Sequence, residues 1–134
     1  MTQILLADHH PQAMWALKIA LQEQIGVEVI GEAADADGLV ALALKKHPDL
    51  VLLDKELPGK STEEIITALH QLLPIIPVVI VMSSDPALSR AALKAGADAF
   101  VSKGEEPEWL LQSLQKYIKA NPKKEETKET NPGN

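Results

Sequence analysis

Five short apolar runs, QILLA (3–7), VEVIGEA (27–33), LVLL (50–53), PVVIVM (77–82) and AFVS (99–102), alternate with longer segments of helical periodicity. That alternation restricts the fold more than any other feature of the chain. The runs are rich in Val, Ile and Leu and too short for helices, which is the pattern of strands buried on both faces. The segments between them, roughly 11–24, 37–46, 62–72, 86–95 and 107–120, carry apolar residues at helical spacing. Pro11 and Pro107 stand where a first helical turn tolerates a missing N–H, and Ser61 or Thr62 can cap the third helix, with Glu63 and Glu64 at its positive end. Strands alternating with helices require right-handed crossovers, hence a parallel sheet covered on both faces. The expected class is doubly wound α/β. Residues 1–120 form its single domain. From 121 to 134 the sequence NPKKEETKETNPGN offers no large apolar residue to offset the entropy of ordering, so a disordered polar tail or linker stub is expected there.

Composition removes several classes of function. The net charge of -6 opposes direct nucleic-acid binding, which needs a basic face. There is no cysteine, which excludes disulfides and thiolate metal sites and suits a reducing compartment. No apolar run approaches the ~18 residues of a membrane span, and MTQILLADHH has neither a basic n-region nor a cleavage site. A cytoplasmic protein with no membrane association is expected.

The fold class says where chemistry belongs. In an open parallel sheet, ligands collect beyond the carboxyl ends of the strands, near the reversal of strand order. Asp8, Asp54, Ser83 and Lys103 all fall at such ends. Two acids, a hydroxyl and an ammonium brought together suit phosphoryl transfer, in which the charge on the phosphoryl oxygens must be neutralised. A phosphatase or a flavodoxin-like enzyme is disfavoured, because no Gly-rich phosphate loop follows the first strand.

The fragments LLADHHP, DLVLLDKELPG, PVVIVMSS and AGADAFVSKGEEPEWL, in this order and spacing, resemble the receiver domain of two-component response regulators. The branch most similar is the NarL/FixJ/LuxR-like one, usually joined to a helix-turn-helix output domain. The resemblance covers about residues 3–120. It implies a (βα)5 flavodoxin-like fold with a five-stranded sheet of order 2-1-3-4-5. It also implies an aspartate phosphorylated by a histidine kinase or phosphotransfer protein, with Mg²⁺ as cofactor and no enzymatic activity beyond self-phosphorylation and self-dephosphorylation. By position, Asp54 matches the phosphoacceptor, Ser83 the hydroxyl that follows the phosphoryl group, Lys103 its cationic partner and Phe100 the switch aromatic. The output implied is a change in the face formed by the fourth helix, fifth strand and fifth helix, through which a homodimer is expected.

One departure bears on the metal. Similar receivers read Asp-Asp-His-Pro where this chain reads Asp8-His9-His10-Pro11. His9 therefore replaces an acid that ligates the cation, and Mg²⁺ is a hard ion that prefers oxygen. Metal affinity is expected to be weakened or lost. The ligands implied are Asp8, Asp54 and Glu56, the last through its backbone carbonyl and, as a repair, its carboxylate; alternatively a cationic His9 stands in for the metal. His9 and His10 are not expected to act together on a transition metal, because neighbours in sequence diverge at a helix start. The competing function is a pseudo-receiver, a phosphorylation-independent interaction or dimerisation module.

The first helix points to partners. Ala13, Leu17, Ala20 and Leu21 are expected to face the core, which leaves Met14, Trp15 and Ile19 as an apolar surface where a kinase or phosphotransfer protein docks. On the fifth helix, Leu110, Leu114 and Tyr117 or Ile118 face inward, leaving Trp109 at the rim of the dimerisation face.

Overall fold

In a computed structural model of the chain, residues 1–103 and 107–119 are described, without the side chains of 107–109 and 119. The elements run β1 (Thr2–Ala7), α1 (Pro11–Gln22), β2 (Val27–Ala33), α2 (Ala36–Lys46), β3 (Leu50–Asp54), α3 (Thr62–Leu72), β4 (Val78–Ser83), a 3₁₀ turn (Pro86–Leu88), α4 (Ser89–Lys94), β5 (Ala99–Ser102) and α5 (Pro107–Lys119). Every strand pair is parallel, and the order is β2-β1-β3-β4-β5, as the resemblance implies. The polar stretch 121–134 lies outside the described residues.

The continuous apolar runs are explained by the two layers they serve. Leu5, Ala7, Val51, Leu53, Val79 and Val81 point to one face and pack with α2, α3 and α4 through residues such as Leu39, Ile65 and Ala92. Ile4, Leu6, Leu50, Leu52, Ile80 and Met82 point to the other and pack with Met14 and Leu21 of α1 and Leu110 and Leu114 of α5. Side chains alternate along a strand, so a strand covered on both faces must be apolar at every position.

Local signals set the element ends. Ser61 caps α3, its hydroxyl accepting the Glu64 N–H at 3.0 Å while the Glu64 carboxylate accepts the Ser61 N–H at 2.9 Å. Gly59 has φ +111, and a Cβ there would lie 3.2 Å from the Ala36 Cβ, so glycine lets the loop after β3 cross the start of α2. The fourth helical segment is not one helix over 86–95 but the 3₁₀ turn and a short α4. Asp85 starts it, its side chain accepting the Ala87 N–H at 3.0 Å.

The core face of α1 differs from expectation by one residue. Met14 is buried and Ala13 only half-buried, while Trp15 and Ile19 are exposed. The periodicity accommodates either stripe, since Leu17 and Leu21 belong to both. What selects Met14 is the entry of the chain: the His10 N–H donates to Asp8 Oδ1 at 2.9 Å, and this bond across the helix start sets its rotation.

Candidate functional site

Asp8 directly follows β1 and Asp54 ends β3, and these two strands are paired where the order of the sheet reverses. Both carboxylates are buried, at 1% and 2% exposure. Ser83 ends β4 and is also buried, its Oγ accepting the Asp85 N–H at 3.1 Å. Lys103 lies just past β5, where its N–H donates to the Ser83 carbonyl at 2.8 Å and continues the ladder. From there its ammonium reaches back to Asp8 Oδ2 at 2.8 Å and stands 3.7 Å from Asp54 Oδ2. Burial acts to raise the Asp8 carboxyl, but the Lys103 ammonium, the His10 N–H and the Asp54 contact outweigh it and hold it below its ordinary value.

The histidines converge rather than diverge, which corrects the sequence expectation. His9 Nδ1 lies 3.1 Å from Asp54 Oδ2, and His10 Nδ1 lies 3.1 Å from Asp8 Oδ1 and 3.8 Å from Asp54 Oδ2. Their rings are 3.9 Å apart, tilted by 43°. The divergence argument assumed helical backbone, whereas His10 is the residue before α1, with extended φ and ψ of -100 and 109. The bond from its N–H to Asp8 curls the turn over the sheet edge and aims each ring at a different carboxylate.

The remaining sequence candidates are distributed around this cluster. Glu56 donates its N–H to Asp54 Oδ1 at 3.1 Å, and its side chain is exposed. Phe100 is half-buried on β5 and packs against the α2–α3–α4 layer. Trp15 and Ile19 are 68% and 41% exposed on α1, but Met14 is not part of that surface: at 8% exposure it belongs to the core, for the reason of helix rotation given above. The side chain of Trp109 lies outside the described residues. A cleft of about 340 Å³ opens beside the carboxylates, lined by Asp8, His9, Pro11, Met14 and Trp15 among others. His10 is the site residue that sequence reasoning passed over as a partner of His9. Its signal was the adjacency to Asp8, whose carboxylate reaches the amide two residues on.

The sequence matches the response regulator receiver domain family over residues 4–115. The chain belongs to that family. This receiver is 36% identical over 112 residues to the nitrate/nitrite response regulator protein NarL of Escherichia coli strain K12, an alignment covering 83% of this chain and 52% of NarL. It is 30% identical over 120 residues to the nitrate/nitrite response regulator protein NarP of the same strain, covering 89% and 56%. Its backbone is similar to that of a LuxR-family two-component response regulator from Aurantimonas sp. SI85-9A1, with a TM-score of 0.80 and 27% identity over 90% of this chain and 87% of the other. The receiver spans about half the length of the curated relatives it matches. No helix among the described residues is long and apolar enough to cross a membrane.

Receivers of this family work with Mg²⁺, and the residues here can be tested against that ion. Among the described residues, the groups that converge as potential ligands are Asp8, His9, His10 and Asp54. The exposed Glu56 carboxylate is not one of them. Two imidazole nitrogens therefore occupy positions where an octahedral, oxygen-seeking ion needs carboxylate or water oxygen. The donor set does not fit Mg²⁺.

Proposed function

We propose that this receiver is a signalling switch whose Asp54 accepts a phosphoryl group from the phosphohistidine of a histidine kinase or phosphotransfer protein. The observation that carries the reading is the triangle of two buried carboxylates and one ammonium, with Lys103 Nζ 2.8 Å from Asp8 and 3.7 Å from Asp54. An Asp54 oxygen attacks phosphorus as the P–N bond to the donor imidazole breaks. The bonding pair and a proton go to the donor ring, leaving an acyl phosphate on Asp54. Lys103 is the cation within reach of the new phosphoryl oxygens, and Glu56 N–H fixes the orientation of the nucleophile through Oδ1. His9 closes on Asp54 Oδ2 and must swing away first; at 36% side-chain exposure it has solvent to swing into.

The acyl phosphate adds charge and acceptor oxygens at one point. Ser83, at the end of the neighbouring strand, follows it, and Phe100 takes up the space released, altering the α4–β5–α5 face on which a homodimer forms. Trp15, which lines the cleft, and Ile19, one turn further along α1, form the donor's docking surface.

A second reading is favoured by one observation. The Asp54 oxygens are already engaged, Oδ2 by His9 and Oδ1 by Glu56 N–H. That arrangement suits a pseudo-receiver, an interaction module held in one state by internal hydrogen bonds. Incubation with acetyl phosphate separates the two. The switch predicts a gain of one phosphoryl mass that Asp54→Asn abolishes. A folded protein that gains none, with or without divalent ions, establishes the pseudo-receiver instead.

A further inference from the structure

We propose that Asp8, His9, His10 and Asp54 bind a divalent transition-metal ion of the Zn²⁺ class in preference to Mg²⁺. Bonds of ~2.0–2.1 Å in a tetrahedron place ligand atoms ~3.3 Å apart. Three of the six edges of the cluster are near that value: 3.1 Å for His9 Nδ1 to Asp54 Oδ2, 3.1 Å for His10 Nδ1 to Asp8 Oδ1, and 3.8 Å for His10 Nδ1 to Asp54 Oδ2. All four residues offer ligand atoms within 4.8 Å of one another. Closing them on one ion requires the remaining edges, at most 4.8 Å, to shorten toward that value.

The carboxylates are held for this purpose by groups outside the cluster. Asp8 gives Oδ2 to Lys103 and turns Oδ1 toward the imidazoles. Asp54 gives Oδ1 to Glu56 N–H and turns Oδ2 the same way. Such outer contacts orient metal-ligating oxygens. Two neutral imidazoles with two carboxylates are a donor set that Zn²⁺, Co²⁺ and Ni²⁺ accept and Mg²⁺ does not. Four protein ligands also close the coordination sphere. A bound ion thus occupies Asp54 Oδ2 and opposes phosphoryl transfer; this consequence, unlike the binding itself, rests on the reading of Asp54 as acceptor.

Calorimetric titration of the metal-free 134-residue chain, with no phosphodonor present, tests the site. One equivalent of Zn²⁺ binds, Co²⁺ gives the visible bands of a tetrahedral centre, and Mg²⁺ binds at least about tenfold more weakly. His9→Ala and His10→Ala each weaken Zn²⁺ binding by more than about tenfold, the level at which even outer-shell losses are felt. Both rings are on the surface, so these variants keep their fold, as circular dichroism will report. A His47→Ala, His70→Ala double variant retains binding. Preference for Mg²⁺ in the unaltered protein, full Zn²⁺ affinity in both site variants, or loss of binding in the double variant overturns the proposal. A failure of Asp54 to take up phosphate leaves these titrations untouched, so the two readings fail separately.

Discussion

Asp8 meets the Lys103 ammonium at 2.8 Å on Oδ2 and both the N–H and the ring of His10, at 2.9 and 3.1 Å, on Oδ1, and a second buried carboxylate stands close by. Replacing Lys103 with Met removes the ammonium and leaves two acids facing each other out of water. Loss of one partner from a buried charged pair of hydrogen-bonded groups costs about 1–3 kcal/mol. Urea unfolding of Lys103→Met is expected to show a loss of that size at pH 7. The pH dependence follows from the direction of the Asp8 shift. Because its carboxyl is held below the ordinary 3.8, its contribution is complete above that value and is lost as the pH falls through the lower folded-state value. The variant should show a shallower loss of stability on acidification than the unaltered protein, and parallel acid limbs would count against the Lys103 contact. At this scale Asp8, Asp54 and Lys103 were legible in the sequence, since each ends or follows an apolar run. The pairing of His9 and His10 was not, because it depends on a bond from a side chain to the backbone two residues away, which periodicity does not encode.

Element boundaries followed closely from the sequence wherever a cap or a proline marked them, as Pro11, Ser61 and Pro107 do. The rotation of α1 about its axis did not. Met14 and Ala13 lie on either side of a stripe shared by Leu17 and Leu21, and the tether between His10 and Asp8 sets how the chain enters the helix that turns Met14 inward. Met14→Ala should therefore open a cavity and cost about 2–5 kcal/mol, whereas Trp15→Ala, at a side chain 68% exposed, should stay within about 0.5 kcal/mol. Thermal or urea unfolding of the two variants reads the difference directly. Equal costs, or a larger one at Trp15, would mean that the helix presents the other face to the sheet. A neutral Trp15→Ala that keeps its stability is also the variant with which docking of a phosphodonor can be measured without a folding artefact.

At the scale of the molecule, one sheet carries an apolar layer on each face among the described residues. Leu52 belongs to the α1–α5 layer and its neighbour Leu53 to the α2–α3–α4 layer, and both are fully buried on the central strand β3. The backbone bonds of β1, β3 and β4 are common to the two sides, so neither layer can melt while those strands remain paired without exposing the opposite face of the same residues' neighbours. The expectation is a single cooperative unit, as for most small domains. Leu52→Ala should remove about 2–5 kcal/mol from the layer under α1 and α5. If the sheet couples the layers, the protection of the amides in α3, on the far side, falls by that same free energy, since their slowest exchange requires global opening. Protection in α3 that is unchanged by Leu52→Ala would show instead that each layer opens separately. The coupled result would bear on the proposed switch, because Asp54 ends the strand that carries both leucines and a phosphoryl group there would act at a sheet edge common to the two layers.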